Sequence, residues 1–176
     1  VTRAEFLKMA MDSLGIVGHA YRDGECLDAT NDDWYCYYLQ GALDKDIIPK
    51  EMIENCNVTK VTKTLAEATD DKEAVTTDVN VYTGKFDGDK PITREEMAAI
   101  AVRCKNYKMR RLTDWDNERR YPIFSFKDSD EIDEKYISDV VEAYNLNYID
   151  GMEDGRFAPK ENLTRAQAAV VMNNLK

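Results

Sequence analysis

Three arginines recur at one offset within a repeated string. The copies read Val1-Thr2-Arg3-Ala4-Glu5, Ile92-Thr93-Arg94-Glu95-Glu96 and Leu163-Thr164-Arg165-Ala166-Gln167. Each Thr, with a Glu or Gln three residues later, forms a capping box that starts a helix. The cap does not account for the Arg. A cation in the first helical turn faces the positive end of the helix dipole, where an anion is favoured. Repeated three times, it points to a site for a negatively charged ligand. A guanidinium binds a carboxylate through two parallel charge-assisted hydrogen bonds, and helix-start N–H groups add to the attraction. The alternative for each arginine alone is a surface salt bridge.

The elements that must position these arginines are helices. Apolar residues fall three, six and seven positions after each Arg: Phe6, Met9 and Ala10; Met97, Ile100 and Ala101; Ala168, Val171 and Met172. Cys104 and Leu175 extend the second and third stripes. Such a stripe is core. Ahead of the second and third copies lies a further helix, one starting near Asp32-Asp33-Trp34, the other near Lys135-Tyr136 and closing near Asn147. An acidic turn precedes each, at Asp28 and at Asp128. A Gly-rich link leads on to the Arg helix: Gly151 to Pro159 in the last repeat, and Gly84-Lys85-Phe86-Asp87-Gly88 in the middle one. The unit is acidic turn, aromatic helix, Gly loop, Arg helix. A two-helix unit of this size must pack on its neighbours to bury its apolar faces.

Two segments interrupt the repeats. Residues 51–82 are rich in Thr and Val with period-two alternation, which predicts a small β-hairpin. Residues 105–125 are basic and aromatic, and Pro122 is expected to end any helix there. One domain over 1–176 follows: 1–25 the end of a first motif, 26–104 a second with an insertion at about 51–82, 105–125 an insertion, and 126–176 a third.

These residues resemble the S-layer homology family. Its pattern of Phe-x-Asp, an aromatic helix start, Gly-x-x-Asp-Gly-x-Phe-x-Pro and Ile-Thr-Arg-Ala-Glu runs through 126–176. The middle copy matches at Asp28, Trp34, Ile47, Gly84, Phe86 and 92–96. The first keeps its final helix. The resemblance implies a mainly α fold, a pseudo-threefold helical bundle of tandem two-helix repeats. It implies a non-catalytic module that tethers an extracellular protein to the bacterial cell surface by binding secondary cell-wall polysaccharide, often through a pyruvylated sugar. Arg3, Arg94 and Arg165 are then read as carboxylate ligands, with Trp34 and Tyr136 as sugar platforms or core anchors. Asp28 and Asp128 orient an Arg, accept sugar hydroxyls or serve as turn residues; Gly151 gives close backbone approach or loop geometry. Departures from the pattern include Tyr136 for Trp, Gln167 for Glu, and a first motif without its upstream helix, completed by residues before Val1 or by another copy.

Composition bounds the rivals. The net charge of −10 argues against a nucleic-acid partner, and no apolar run is long enough to span a membrane. The chain opens inside a motif and is read as a piece of a mature protein. No cofactor is expected. Cys26, Cys36, Cys56 and Cys104 lack CxxC spacing and His19 is the sole histidine, which argues against a zinc cluster. One or two disulfides and buried thiols both remain open, with Cys104 fitting the thiol reading. No nucleophile–base constellation supports an enzyme. An EF-hand register uses Asp87, Asp89 and Glu96 but puts Lys85 first and Lys90 where Gly is needed. The remaining rival is a protein-interaction module that has lost glycan binding.

Overall fold

The computed structural model describes residues 1–18, 27–30, 32–66, 74–110 and 126–176. It is mainly helical: α1 (Arg3–Ser13), α2 (Cys36–Leu43), α3 (Arg94–Arg110), α4 (Ile137–Asn145) and α5 (Arg165–Asn174), with one antiparallel ribbon of β1 (Glu54–Ala66) and β2 (Val75–Lys85). Short 3-10 turns at Lys50–Met52, Ser129–Glu131 and Glu134–Tyr136 join them.

The Arg helices begin where the capping boxes place them. The Thr2 and Thr164 hydroxyls accept from the backbone N–H of Glu5 and Gln167, whose side chains accept from the Thr N–H in return. Thr93 and Glu96 make the same exchange at 3.4 and 3.2 Å. Two orphan N–H groups are satisfied at each start. The expected stripes are buried, except that Met9 is only half-buried. Cys104 lies in the core as a free thiol; Cys36 and Cys56 are also free. Cys26 and His19 lie outside the described residues.

The aromatic helices start later than their sequence signals. α2 opens at Cys36 rather than near Asp32, and α4 at Ile137 after a 3-10 turn. Both close with a residue in the left-handed conformation, Asp46 (φ 53°) and Asn147 (φ 58°), followed by matching hydrogen bonds from Ile47 N–H to Ala42 O and Tyr148 N–H to Ala143 O. α2 packs on α1, and α4 on α3.

The expected hairpin is present but shifted relative to 51–82, running from Glu54 to Lys85. Its β-branched residues suit a pleated ribbon. At its base the Tyr82 hydroxyl donates to Leu43 O at 3.3 Å, with Ile53 and Met52 buried beside it. Further out, Val61 and Val75 are exposed. α3 runs to Arg110, into the expected 105–125 insertion; residues 111–125 lie outside the described set.

The residues just before the three Thr-Arg pairs meet in a closed ring of hydrogen bonds. Ile92 N–H donates to Val1 O (3.0 Å), Leu163 N–H to Ile92 O (2.9 Å), and Val1 N to Leu163 O (3.2 Å). Thr2 bridges Pro91, and Thr93 bridges Asn162, in antiparallel sense. The three helix starts therefore converge on one point.

Candidate functional site

Two of the three arginines are buried inside the protein. Arg3 is 6 % exposed and Arg94 is 4 % exposed. Arg3 donates from Nη1 to Phe86 O at 2.6 Å and from Nε to Glu96 Oε2 at 3.2 Å, with a second ion-pair contact from Nη2 to Glu96 Oε1. Arg94 donates from Nε to Phe157 O and from Nη2 to Asp150 O, both at 2.7 Å. Each guanidinium also lies over a Phe ring, 5.9 Å from the Phe86 centroid and 5.1 Å from that of Phe157. Burial pushes the Arg94 pKa down, against the opposing pull of Glu161, Asp128 and Asp150.

The helix-start N–H groups follow the same rule. Arg3 N–H donates to Lys90 O and Ala4 N–H to Gly88 O, both at 2.9 Å; Arg94 N–H donates to Glu161 O (3.0 Å) and Glu95 N–H to Pro159 O (3.1 Å). The donors expected to receive an anion instead receive carbonyls of the loop from the next repeat. Glu96 shows why Arg3 gains an ionic partner. It caps its own helix and reaches across to the preceding repeat. The matching residue for Arg94 is Gln167, which lacks the charge, and Arg94 takes backbone oxygens.

Asp28 and Asp128 hold the loops that the arginines grip. Asp28 accepts from Phe86 N–H (2.7 Å) and Asp87 N–H (2.9 Å). Asp128 accepts from Phe157 N–H and Ala158 N–H, both at 2.8 Å. Asp87 and Ala158 then turn through φ of 57° and 59°. A carboxylate thus fixes a Phe whose carbonyl receives the Arg of the preceding repeat, twice over. The aspartates orient an arginine only through that Phe.

Gly151 is a packing requirement. A Cβ there would lie 2.6 Å from the Phe126 ring, which also meets the rings of Tyr144 and Phe157 at 4.9 and 5.4 Å. Tyr136 is a core residue, 1 % exposed, with its hydroxyl pKa raised chiefly by burial. Its structural counterpart is Tyr35, also buried, because both stand immediately before their helix; Trp34 sits one position earlier and is 52 % exposed. The offset comes from reading Trp34 as the aromatic anchor when the next residue turns inward.

Arg165 differs from its two counterparts. Its side chain is exposed, and among the described residues it forms no ion pair or hydrogen bond. Of the eight candidates, Trp34, Arg165 and Asp28 are exposed, and Asp28 is engaged by the Phe86 and Asp87 N–H groups. The clamp partners Phe86, Phe157, Glu96 and Asp150 were missed as site residues. The shared signal was the Phe six residues before Ile92 and Leu163.

A second polar cluster joins the loop at 157–161 to α3. Lys160 Nζ contacts Glu95 Oε1 (2.7 Å) and Asp133 Oδ1 (2.6 Å), and Asp133 N–H donates to Glu95 Oε2 (3.0 Å). The Lys160 contact holds the Asp133 carboxyl below its usual range, while burial raises that of Glu95. Across the α3–α4 contact, Arg103 donates to Asp139 Oδ2 at 3.1 Å. Among the described residues no group of acidic, His or Cys side chains is arranged to hold a metal ion. The Glu96 carboxylate, needed by the calcium reading, is taken by Arg3 and the Thr93 N–H.

Helix starts locked in a ring, each with an Arg that grips the next repeat's Phe loop where one is present, define a tandem-repeat helical module. Residues 125–169 match the family model of the S-layer homology domain, and this part of the chain belongs to that family. The chain is similar to an amylopullulanase of Thermoanaerobacterium thermosulfurigenes, 32 % identical over 99 % of this chain and 7 % of the relative. It is also similar to the exoglucanase XynX of Acetivibrio thermocellus, 33 % identical over 99 % of this chain and 13 % of the relative. An endoglucanase of Bacillus sp. (strain KSM-635) is 37 % identical over 56 % of this chain and 10 % of the relative. The chain therefore spans 7 to 13 % of these relatives. No helix among the described residues is long and apolar enough to cross a membrane.

Proposed function

We propose that the chain is a non-catalytic anchoring module that binds a secondary cell-wall polysaccharide and tethers an extracellular protein to the bacterial surface. The S-layer homology match at 125–169 carries this reading, in a chain whose relatives are named as polysaccharide-degrading enzymes and are many times its length. An anchor attached to such an enzyme supplies attachment while the chemistry is done elsewhere.

The repeats are read as a pseudo-threefold bundle about the Val1–Ile92–Leu163 ring. In this arrangement Arg3 and Arg94 act as clamps between repeats, and releasing them to a ligand would leave Glu96 without its cation and three loop carbonyls without these donors. Direct glycan contact is assigned to the surface around Trp34. An exposed indole offers an apolar face to a sugar ring and an N–H to a hydroxyl. A pyruvylated sugar remains the preferred ligand class.

Calorimetric titration with purified polysaccharide fragments, before and after mild-acid removal of the pyruvyl ketal, tests the reading. Saturable heat that disappears with the ketal supports the pyruvylated ligand; heat that persists supports a neutral glycan. No heat with either form contradicts glycan binding. The exposed ribbon Glu54–Ala66/Val75–Lys85 favours a second reading, a protein-interaction module, which predicts that last result.

A further inference from the structure

The β1–β2 ribbon lies outside the repeats and is only rooted in them. At the root Val58 stands opposite Tyr82, which is buried. Beyond that pair every described side chain from 59 to 81 is exposed or half-buried. The ladder from Thr59↔Val81 to Thr64↔Thr76 runs on for roughly 17 Å, at about 3.3 Å per residue. Two strands with no third layer are marginally stable in water. Among the described residues each strand keeps one edge without a strand partner.

The two edges are unlike. β1 carries Lys60 and Lys63, and no acid after Glu54. Lysines on an edge strand deter the addition of another strand. β2 has neither Lys nor Pro from Val75 to Gly84. Its sole charge there is Asp78, held within the ribbon by Lys60 at 3.5 Å and by the Thr62 hydroxyl at 2.7 Å. Val75, Thr76, Thr77, Val79, Val81 and Thr83 supply the β-branched residues that favour strand pairing. The ribbon thus guards one edge and leaves the other open.

We propose that the β2 edge is an interface for a second copy of this chain, the two β2 strands pairing antiparallel about a two-fold axis at Val79. In that register 75–83 overlaps with itself, and Asp78 stands opposite the partner's Asn80, twice over. An axis at Asp78 would set two carboxylates directly opposite each other, which is unfavourable. An axis at Asn80 would set Asp78 against the partner's Tyr82 and lose the amide. β2 runs back toward the helices, so antiparallel pairing puts the two helical bodies at opposite ends of a four-stranded sheet. Joining β1 of one copy to β2 of the next in the intrachain register would instead bring the bodies within two strand spacings, about 10 Å, closer than two five-helix modules can sit. The symmetric contact is self-complementary and closes at two copies. It also brings Val61 and Val81 of both copies to one face, and three or more strands with an apolar face are what a free-standing sheet needs. The inference does not rest on wall binding and stands without it.

Sedimentation equilibrium of the 1–176 chain over roughly 10 μM to 1 mM is expected to show a reversible monomer–dimer equilibrium, weak because one strand pairing is a small interface. Hydrogen exchange at the concentrated end should newly protect amides within 75–83. Asn80→Asp places an acid opposite the partner's Asp78 at two symmetric positions and should weaken the dimer roughly five- to tenfold. Within its own chain the new acid faces Lys60, so the melting temperature should not fall. Adding Asp78→Lys restores attraction across the axis and should recover the dimer. A chain that stays monomeric throughout leaves a foreign strand as the occupant of the edge and overturns the proposal. A dimer that protects 59–64 rather than 75–83, or one indifferent to Asn80→Asp, overturns it as well.

Discussion

The Arg3 guanidinium closes on the Glu96 carboxylate 93 residues further along the chain, deep in the protein. Glu96 is also the return arm of its own helix cap. One carboxylate therefore starts a helix and ties two repeats together. Removing Arg3 leaves Glu96 buried without its cation, so Arg3→Ala is expected to cost about 3–5 kcal/mol. Adding Glu96→Gln should recover part of that loss. Denaturant titration of the two single variants and the double variant measures the coupling; simple additivity contradicts the pairing.

Asp128 makes the matching case for the loop. Its two oxygens each accept one buried N–H, from Phe157 and Ala158. Asp128→Ala strands both donors and should cost about 2–4 kcal/mol. The same substitution at the exposed Asp28 should cost less, because water can replace part of what is lost. Thermal melts of both variants check the order.

Arg103 and Asp139 give a pH-dependent test. Burial raises the Asp139 pKa above its ordinary 3.8, with Arg103 opposing the rise. Removing the cation raises it further. A carboxyl with a raised folded-state pKa binds its proton more tightly in the folded protein, so stability falls as pH climbs through that window. Arg103→Leu should therefore be more destabilising at pH 7 than at pH 5. A cost independent of pH over that range contradicts the pair.

Trp34 separates binding from folding. Its exposed indole contributes little to the core, so Trp34→Ala should leave the melting temperature almost unchanged. Loss of a stacking platform should weaken wall-polysaccharide binding roughly five- to tenfold. Unchanged affinity moves the glycan site away from this surface.

The capping boxes and helical stripes were legible because their causes are local: Thr2, Thr93 and Thr164 act on residues three positions away. The hairpin was legible from alternation, though not the extension of β2 to Lys85. What was not legible was direction. An Arg in a first turn looks the same whether it faces a ligand or the next repeat, and only the long-range partners of Arg3 and Arg94 decide between them. Asp28 and Asp128 stood out in the sequence with several roles open, since a carboxylate accepting two loop N–H groups reads there like one awaiting a sugar. Trp34 and Tyr35 differ by one position, which on a helix entry is enough to exchange surface for core.

Sedimentation with purified cell walls tests the central claim most directly. The 1–176 chain is expected to pellet with walls that retain their secondary polysaccharide and to stay in the supernatant with walls stripped of it. Equal sedimentation with both preparations, or with neither, contradicts the account.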